Sequence, residues 1–350
     1  MTVSLLDQHI GAFVGCASGD TLGMSVEGWV KEQINKYVGK IIAPIDPVIV
    51  RDDSGKEILE DEWGKLKYYN HGLKKGEYTD DTIIPVALAE SIAACGKIDL
   101  EDMARRQVHE YEIRQLPGGP SPCVFGEMTT TVSAFKRLQQ GVSVYESGVL
   151  GKPGNALVTK MFPLGLWMNN SGKYHEGLQF AEQIGRMTHL DPRSVVGGVV
   201  QAHAVYMALR DLSRDEWIDS CVGVCKEREQ KLDQRYLKWE EGNLTSRLEW
   251  IKDHKDKSAE EAHQHLTSKS EVYASYPFAL FMFQKYWDDP INGLIETVNY
   301  GGDCDTTGAM YGALCGAKNG MIFPPEWIDV LQGKDRLIAA AKGIYSPRGI

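Results

Sequence analysis

The chain has 350 residues, 43% of them hydrophobic and 25% charged, with a formal net charge of -10. That is enough apolar material for one large core or two modest ones, and the composition carries no signature of disorder. The acidic balance makes a nucleic-acid partner unfavourable, because gripping a phosphate backbone by counterion release needs a basic face.

The stretch from Met1 to Gly15 has no basic leader and no small-residue cleavage site, and no run reaches the ~18 apolar residues that span a bilayer. A cytoplasmic, non-membrane protein is expected. The seven cysteines (Cys16, Cys95, Cys123, Cys221, Cys225, Cys304, Cys315) are odd in number and scattered, which fits reduced thiols better than a disulfide frame. Cys221 and Cys225 lie four apart with no second pair or nearby histidine to complete a zinc site, so a plain helix face is expected there.

In chain order, Gly11, Gly15, Gly19 and Gly23 open with a smooth stripe along one helix face. Gly308, Gly312, Gly316 and Gly320 repeat it near the other end. Glycine costs ~1 kcal/mol per helical position relative to alanine, so two such stripes imply close backbone approach between two inner helices. The spacing is familiar from membrane helices, but polar flanks and Asp20 exclude a span here. Between Gln33 and Gly76, the helix breakers Pro44, Pro47, Gly55, Gly64, Gly72 and Gly76 predict a loop insertion about 33–76, with short strands around Ile41 to Val50.

Thr79-Asp80-Asp81-Thr82 then precedes the apolar run Ile83 to Ala94, and helical periodicity recurs at Val132 to Leu138, Val195 to Leu212 and Tyr276 to Trp287. Pro117-Gly118-Gly119-Pro120 and Gly151-Lys152-Pro153-Gly154 are loop punctuation. From Glu227 to Ser270 the chain is dense in charge, with Trp239 and Trp250 interleaved, which predicts a charged helical excursion about 227–270 projecting from the body. Asp303-Cys304-Asp305-Thr306-Thr307 directly precedes Gly308 to Ala317. Period-two alternation is scarce, so the chain reads as all-α.

Both acidic motifs sit at helix starts, where Asp and Thr serve as caps and suit the helix dipole. Capping needs one side chain, yet each motif offers two carboxylates plus hydroxyls. If the motifs converge, like charges about 4 Å apart repel by roughly 4 kcal/mol at an effective dielectric of 20, and cations would relieve this. An all-oxygen set suits Mg²⁺ or Mn²⁺, whereas zinc calls for His or Cys. No phosphate-loop, HExxH or GxSxG motif competes, and Asp52-Asp53-Ser54-Gly55 lacks the spacing of a calcium loop.

The chain resembles the ADP-ribosylglycohydrolases. The blocks that carry the likeness, in order, are Gly11 to Glu27, Tyr78 to Thr82, Gly126 to Thr131, Gly154 to Gly165, Met187 to Pro192 and Gly301 to Gly308. The resemblance implies one domain over 1–350, an orthogonal multi-helix bundle with a binuclear centre of two Mg²⁺ (or Mn²⁺) in a central cleft that accepts ADP-ribose. It gives Thr79, Asp80 and Asp81 to one metal and Asp303 and Thr306 to the other, with Asp305 bridging. Glu27 would approach from a mobile loop and relay a proton to or from water, so Glu27 and Asp305 are the catalytic candidates. Gly154, Asn155 and Ala156 would meet the diphosphate, and His189 would be a pocket residue.

The implied substrate is an ADP-ribosylated protein, with arginine favoured as the modified residue, and the product is ADP-ribose. The alternative is an immunity-type partner that neutralises an ADP-ribosyltransferase toxin, the 33–76 insertion reaching across it. A non-catalytic relative is disfavoured, because every expected ligand is kept. Members commonly carry Gly, Met and Arg where this chain has Ala156, Thr159 and Lys160, which replaces a planar contact by a point charge. Val124 and Phe125 precede Gly126 where some relatives have an aspartate, and Glu127 follows, which leaves the second catalytic acid unassigned.

Overall fold

The computed structural model of the chain describes residues 3–56, 73–116, 129–237 and 243–346. The expectations placed on Pro117 to Pro120, Cys123 to Glu127, Trp239 and positions 57–72 of the insertion lie outside the described residues.

Among the described residues the regular structure is helical, with three isolated β-bridges and no strand. In chain order the helices are α1 (Leu5–Met24), α2 (Lys31–Tyr37), α3 (Asp80–Cys95), α4 (Leu100–Gln115), α5 (Thr130–Gln139), α6 (Ala156–Lys160), α7 (Phe162–Ser171), α8 (Tyr174–Arg186), α9 (Pro192–Ala208), α10 (Arg214–Glu229), α11 (Leu244–Asp253), α12 (Ala259–Leu266), α13 (Val272–Lys285), α14 (Pro290–Val298), α15 (Cys304–Asn319), α16 (Pro325–Ile328) and α17 (Lys334–Tyr345). The expected all-α class is therefore what is seen.

The two glycine stripes face each other. A methyl group added at Gly15 would strike the Gly312 carbonyl, one at Gly19 the Gly308 carbonyl, and one at Gly11 the carbonyls of Gly316 and Gly320. The pairing runs in opposite directions along α1 and α15, so the two helices are antiparallel and their backbones touch. Such contact is open only to residues without a side chain, which explains why seven helix-weakening glycines persist, with Gly320 just past the end of α15. Around this central pair, α3 and α17 pack on α1, while α9, α13 and α14 pack on α15. Nearly every residue of α1 from Gly11 onward and of α15 up to Ala317 is buried, so neither helix shows the one-sided pattern of a surface helix. By contrast α8 buries Leu178, Ala181 and Ile184 and turns its polar face outward.

Two expectations of local structure change. No strand is seen at Ile41 to Val50; the segment is irregular and is held at its start by Asn299, whose Oδ1 accepts from Ile41 N and whose Nδ2 donates to Ile41 O, both at 2.8 Å, and further on by Asp46, whose Oδ1 accepts from Lys75 N at 2.8 Å. Positions 33–37 of the expected insertion belong to α2. The charged segment does not merely project: α11 buries Leu244, Leu248 and Ile251 against α10 and α13, and the Glu229 carboxylate accepts from Leu244 N and Thr245 N at 3.0 Å. No helix among the described residues is long and apolar enough to cross a membrane, and the described cysteines are free.

Candidate metal centre

The first acidic motif is set by a residue buried in the middle of α1. Asp20 accepts from Thr79 N at 3.0 and 3.1 Å and from Thr82 Oγ1 at 2.7 Å. Thr79 caps α3 by accepting from Asp81 N at 3.3 Å. Cys16, one turn before Asp20, directs its thiol at the Asp81 carbonyl at 3.6 Å. These contacts fix the start of α3 against α1, which in turn aims Asp81 across the core.

The second motif begins at a turn that only glycine can make. Gly301 and Gly302 have φ of 75° and 68°. A side chain at Gly301 would run into the Trp29 carbonyl. Gly302 N donates to Trp29 O and Gly28 N to Gly302 O, each at 2.7 Å, and Val30 and Gly301 form a bridge. The loop that carries Glu27 is thereby tied to the turn that carries Asp303. As a result Glu27, Asp303 and Asp305 each offer a carboxylate oxygen, and these oxygens lie within 4.8 Å of one another.

The two motifs meet at Thr306. Its Oγ1 is 2.7 Å from Asp81 Oδ2, across 225 positions of sequence, and 2.9 Å from Asp303 Oδ1. A hydroxyl has one proton for these two acceptors, so one contact is short of a proton unless a carboxyl group is protonated or a cation intervenes. Thr159 Oγ1 donates to the other oxygen of Asp81 at 2.8 Å, and Asn155 Nδ2 donates to Asp303 Oδ2 at 2.8 Å and to Ser275 Oγ at 2.9 Å. Asp305 Oδ1 is buried without any hydrogen-bond partner. Buried carboxylate oxygens are rarely left so, and a hard cation is the partner this donor chemistry fits.

Electrostatics point the same way. Burial, opposed by the hydrogen bonds from Thr82 and Thr79, lifts the Asp20 carboxyl to about 7. Desolvation and then the Asp20 charge lift Asp80 to about 7. Burial raises Asp81 and Asp305 well above the usual carboxylate range, with Asp80 the next cause for Asp81 and Glu27 the next for Asp305. Mutual repulsion and burial favour the protonated forms of this cluster, and a divalent cation would supply the same compensation.

Thr79, Asp80, Asp81, Asp303, Asp305, Thr306 and Glu27 are thus gathered in one place. In the loop expected to meet a diphosphate, Gly154 N donates to Lys152 O at 2.7 Å and Asn155 N to Ser270 O at 3.1 Å. Ala156 opens α6 directly behind them. His189 is buried, its Nδ1 2.9 Å from Thr188 Oγ1, which also accepts from Lys160 Nζ at 2.7 Å. Burial, then the Lys160 charge, brings His189 down to about 3, and burial brings Lys160 to about 7. Its imidazole is therefore neutral. Sequence reasoning missed Asp20 as part of the site, although a charged residue in the middle of a glycine-striped inner helix was a usable signal. Thr159, noticed only as a departure, proves to hold Asp81.

The fold is that of a solved chain described as "ADP-ribosylglycohydrolase-related protein complex", which matches with a TM-score of 0.63 at 24% identity, covering 97% of each chain. The family model for ADP-ribosylglycohydrolase matches residues 1–349, and the chain belongs to that family of glycosidases. Similar proteins include mouse "ADP-ribosylhydrolase ARH3" (29% identical, 97% of this chain and 92% of that one). An uncharacterized protein of Archaeoglobus fulgidus is 27% identical over 95% of this chain and 94% of its own. The "ADP-ribosyl-[dinitrogen reductase] glycohydrolase" of Rhodospirillum rubrum is 24% identical over 95% and 92%.

Proposed function

We propose that this protein is a metal-dependent hydrolase that cleaves the glycosidic bond between ADP-ribose and a modified protein side chain, arginine foremost, with two Mg²⁺ or Mn²⁺ ions as cofactor. The observation that carries the proposal is the orphaned, buried Asp305 Oδ1 within the Glu27, Asp303 and Asp305 cluster. Thr79, Asp80 and Asp81 would hold one ion, Asp303 and Thr306 the other, with Asp305 between. When bound, such ions supply charge compensation and Lewis-acid polarisation of the oxygens they meet.

The chain's own groups do the rest. Glu27 is half-buried at the edge of the cluster, where a carboxylate can take a proton from an attacking water and return it to the leaving group. Asn155, Thr159 and Thr306 fix the rotamers of Asp81 and Asp303, so that their oxygens need no reorganisation on binding. Asp20 holds the Thr79 end of the site through backbone and hydroxyl bonds. An acidic protein with carboxylates at its cleft favours a cationic leaving group, which supports a guanidinium over a serine hydroxyl. Free buried thiols suit a cytoplasmic setting.

The test is release of free ADP-ribose from ADP-ribosylarginine and ADP-ribosylserine peptides with Mg²⁺ or with a chelator. Release from the arginine peptide that requires metal is expected. Release unaffected by chelation, or none from either linkage, refutes the proposal; release from the serine peptide alone refutes the arginine assignment.

A further inference from the structure

The connector between α12 and α13 touches both halves of the site. The Ser268 carbonyl accepts from Asp303 N at 2.8 Å, and Ser268 Oγ donates to Gly301 O at 2.9 Å. Two residues on, the Ser270 carbonyl accepts from Asn155 N at 3.1 Å, Val272 N donates to Pro153 O at 2.8 Å, and Gly154 and Glu271 form an antiparallel bridge. One short strap therefore joins the turn before Asp303 to the loop that delivers Asn155, whose amide holds the Asp303 carboxylate.

Two features show that this strap is held in place. Thr267, where it begins, has φ of 61°, the sole positive φ at a non-glycine residue among those described. A β-branched residue stays in that region only when its surroundings over-determine it. The second feature is His263, near the end of α12, whose Nε2 lies 2.9 Å from Ser268 Oγ. The serine hydroxyl has a single proton, already directed to Gly301 O, so the imidazole must be the donor and carries its proton on Nε2. Phe278 and Tyr300 box the His263 ring at centroid distances of 5.0 and 4.9 Å and fix its plane. Gly302 completes the fit, since a side chain there would collide with Ser268.

We infer that His263 and Ser268 form a positioning clasp: His263 orients Ser268, and Ser268 sets the backbone of residues 301–303 so that the Asp303 carboxylate meets Glu27 and Asp305. Both act through Asp303 and neither needs to touch substrate. The geometry stands on the hydrogen bonds; its consequence for metal binding rests on the proposed function.

The test uses the full chain carrying His263→Phe, which keeps ring packing but loses the donor, His263→Gln, which retains an N–H donor, and Ser268→Ala as an independent break. In metal-free protein, amide hydrogen exchange at Asp303 is expected to rise about tenfold in His263→Phe and Ser268→Ala and to return toward wild type in His263→Gln. Mn²⁺ affinity, titrated by electron paramagnetic resonance, should fall roughly 10–100-fold in the same two variants and recover with glutamine. Unchanged exchange at Asp303 in both broken variants overturns the clasp, and altered exchange with unchanged Mn²⁺ affinity overturns its link to the ligand. A wild-type chain that binds no Mn²⁺ refutes the metal centre itself, and is told apart because the exchange difference needs no metal.

Discussion

Gly312→Ala is expected to destabilise the protein although alanine is the better helix former. Taken alone, the change should favour the helix by ~1 kcal/mol. In this position the new Cβ would fall under 3.0 Å from the Gly15 carbonyl, and ordinary contact begins at 3.4 Å, so α1 and α15 must separate. The obstacle is backbone, which has no rotamer to change. Overpacking of a tight core costs about 1–3 kcal/mol, and a backbone-on-backbone clash belongs at the top of that range, which leaves a net loss of ~2 kcal/mol. At ~2 °C per kcal/mol for a chain of this size, Tm falls by about 4 °C. Gly223→Ala in α10 is the matched control: it is exposed, a Cβ there meets nothing within 4 Å, and it should stabilise by up to ~1 kcal/mol. Urea unfolding of the two variants reads the difference directly. Equal shifts, or a Gly312→Ala protein more stable than wild type, would refute backbone contact as the reason for the stripes.

Asp303→Asn should cut Mg²⁺-dependent ADP-ribose release by roughly 100-fold or more while the metal-free Tm stays level or rises, because the substitution removes a ligand and a repelling charge together; full turnover in this variant would show the ligand assignment to be wrong. The acid cluster also predicts a pH effect. Asp20 and Asp80 are raised to about 7 from 3.8, so the folded state binds more protons than the unfolded state between those values, and metal-free stability from these groups is lost as pH climbs through that window. The Tm gained on adding Mg²⁺ should accordingly be larger at pH 8 than at pH 5.5, and scanning fluorimetry that shows the reverse contradicts the reading. Lys160, fully buried and lowered to about 7 from 10.5, works in the opposite sense: the folded state carries a penalty below pH 7 that disappears as pH rises toward 10.5. Lys160→Met should therefore stabilise by on the order of several kcal/mol at pH 6, with the gain shrinking toward pH 10 in urea titrations.

Much of the architecture was legible because it rests on spacing. Glycines four apart in two distant segments specify two helix faces that need no further partner than each other. The site was legible where residue type exceeds local need: two carboxylates at a helix start are more than a cap requires, and Thr306 indeed meets Asp81. What spacing could not show is which distant side chain supports a ligand. Asp20 and Thr159 sit on helices of their own, and only packing brings them to Thr79 and Asp81. The segment about 227–270 read as solvated because its charges outnumber its apolar residues, yet Leu244, Leu248 and Ile251 suffice to seat it, and its far end reaches the Asp303 turn through Ser268. Ile41 to Val50 has strand-like composition but pairs with no strand among the described residues, and Asn299 holds its Ile41 end through the backbone.

Because Cys304 on α15 touches Gly23 on α1 across 281 positions, the pocket cannot exist on a partly made polypeptide. While the ribosome is still extending the chain, α1 has no partner for its bare glycine face, and Asp81 waits without Thr306. Premature termination anywhere before α15 should leave a product without this centre, so the cell would meet the catalytic form only once α15 has been made and has docked on α1.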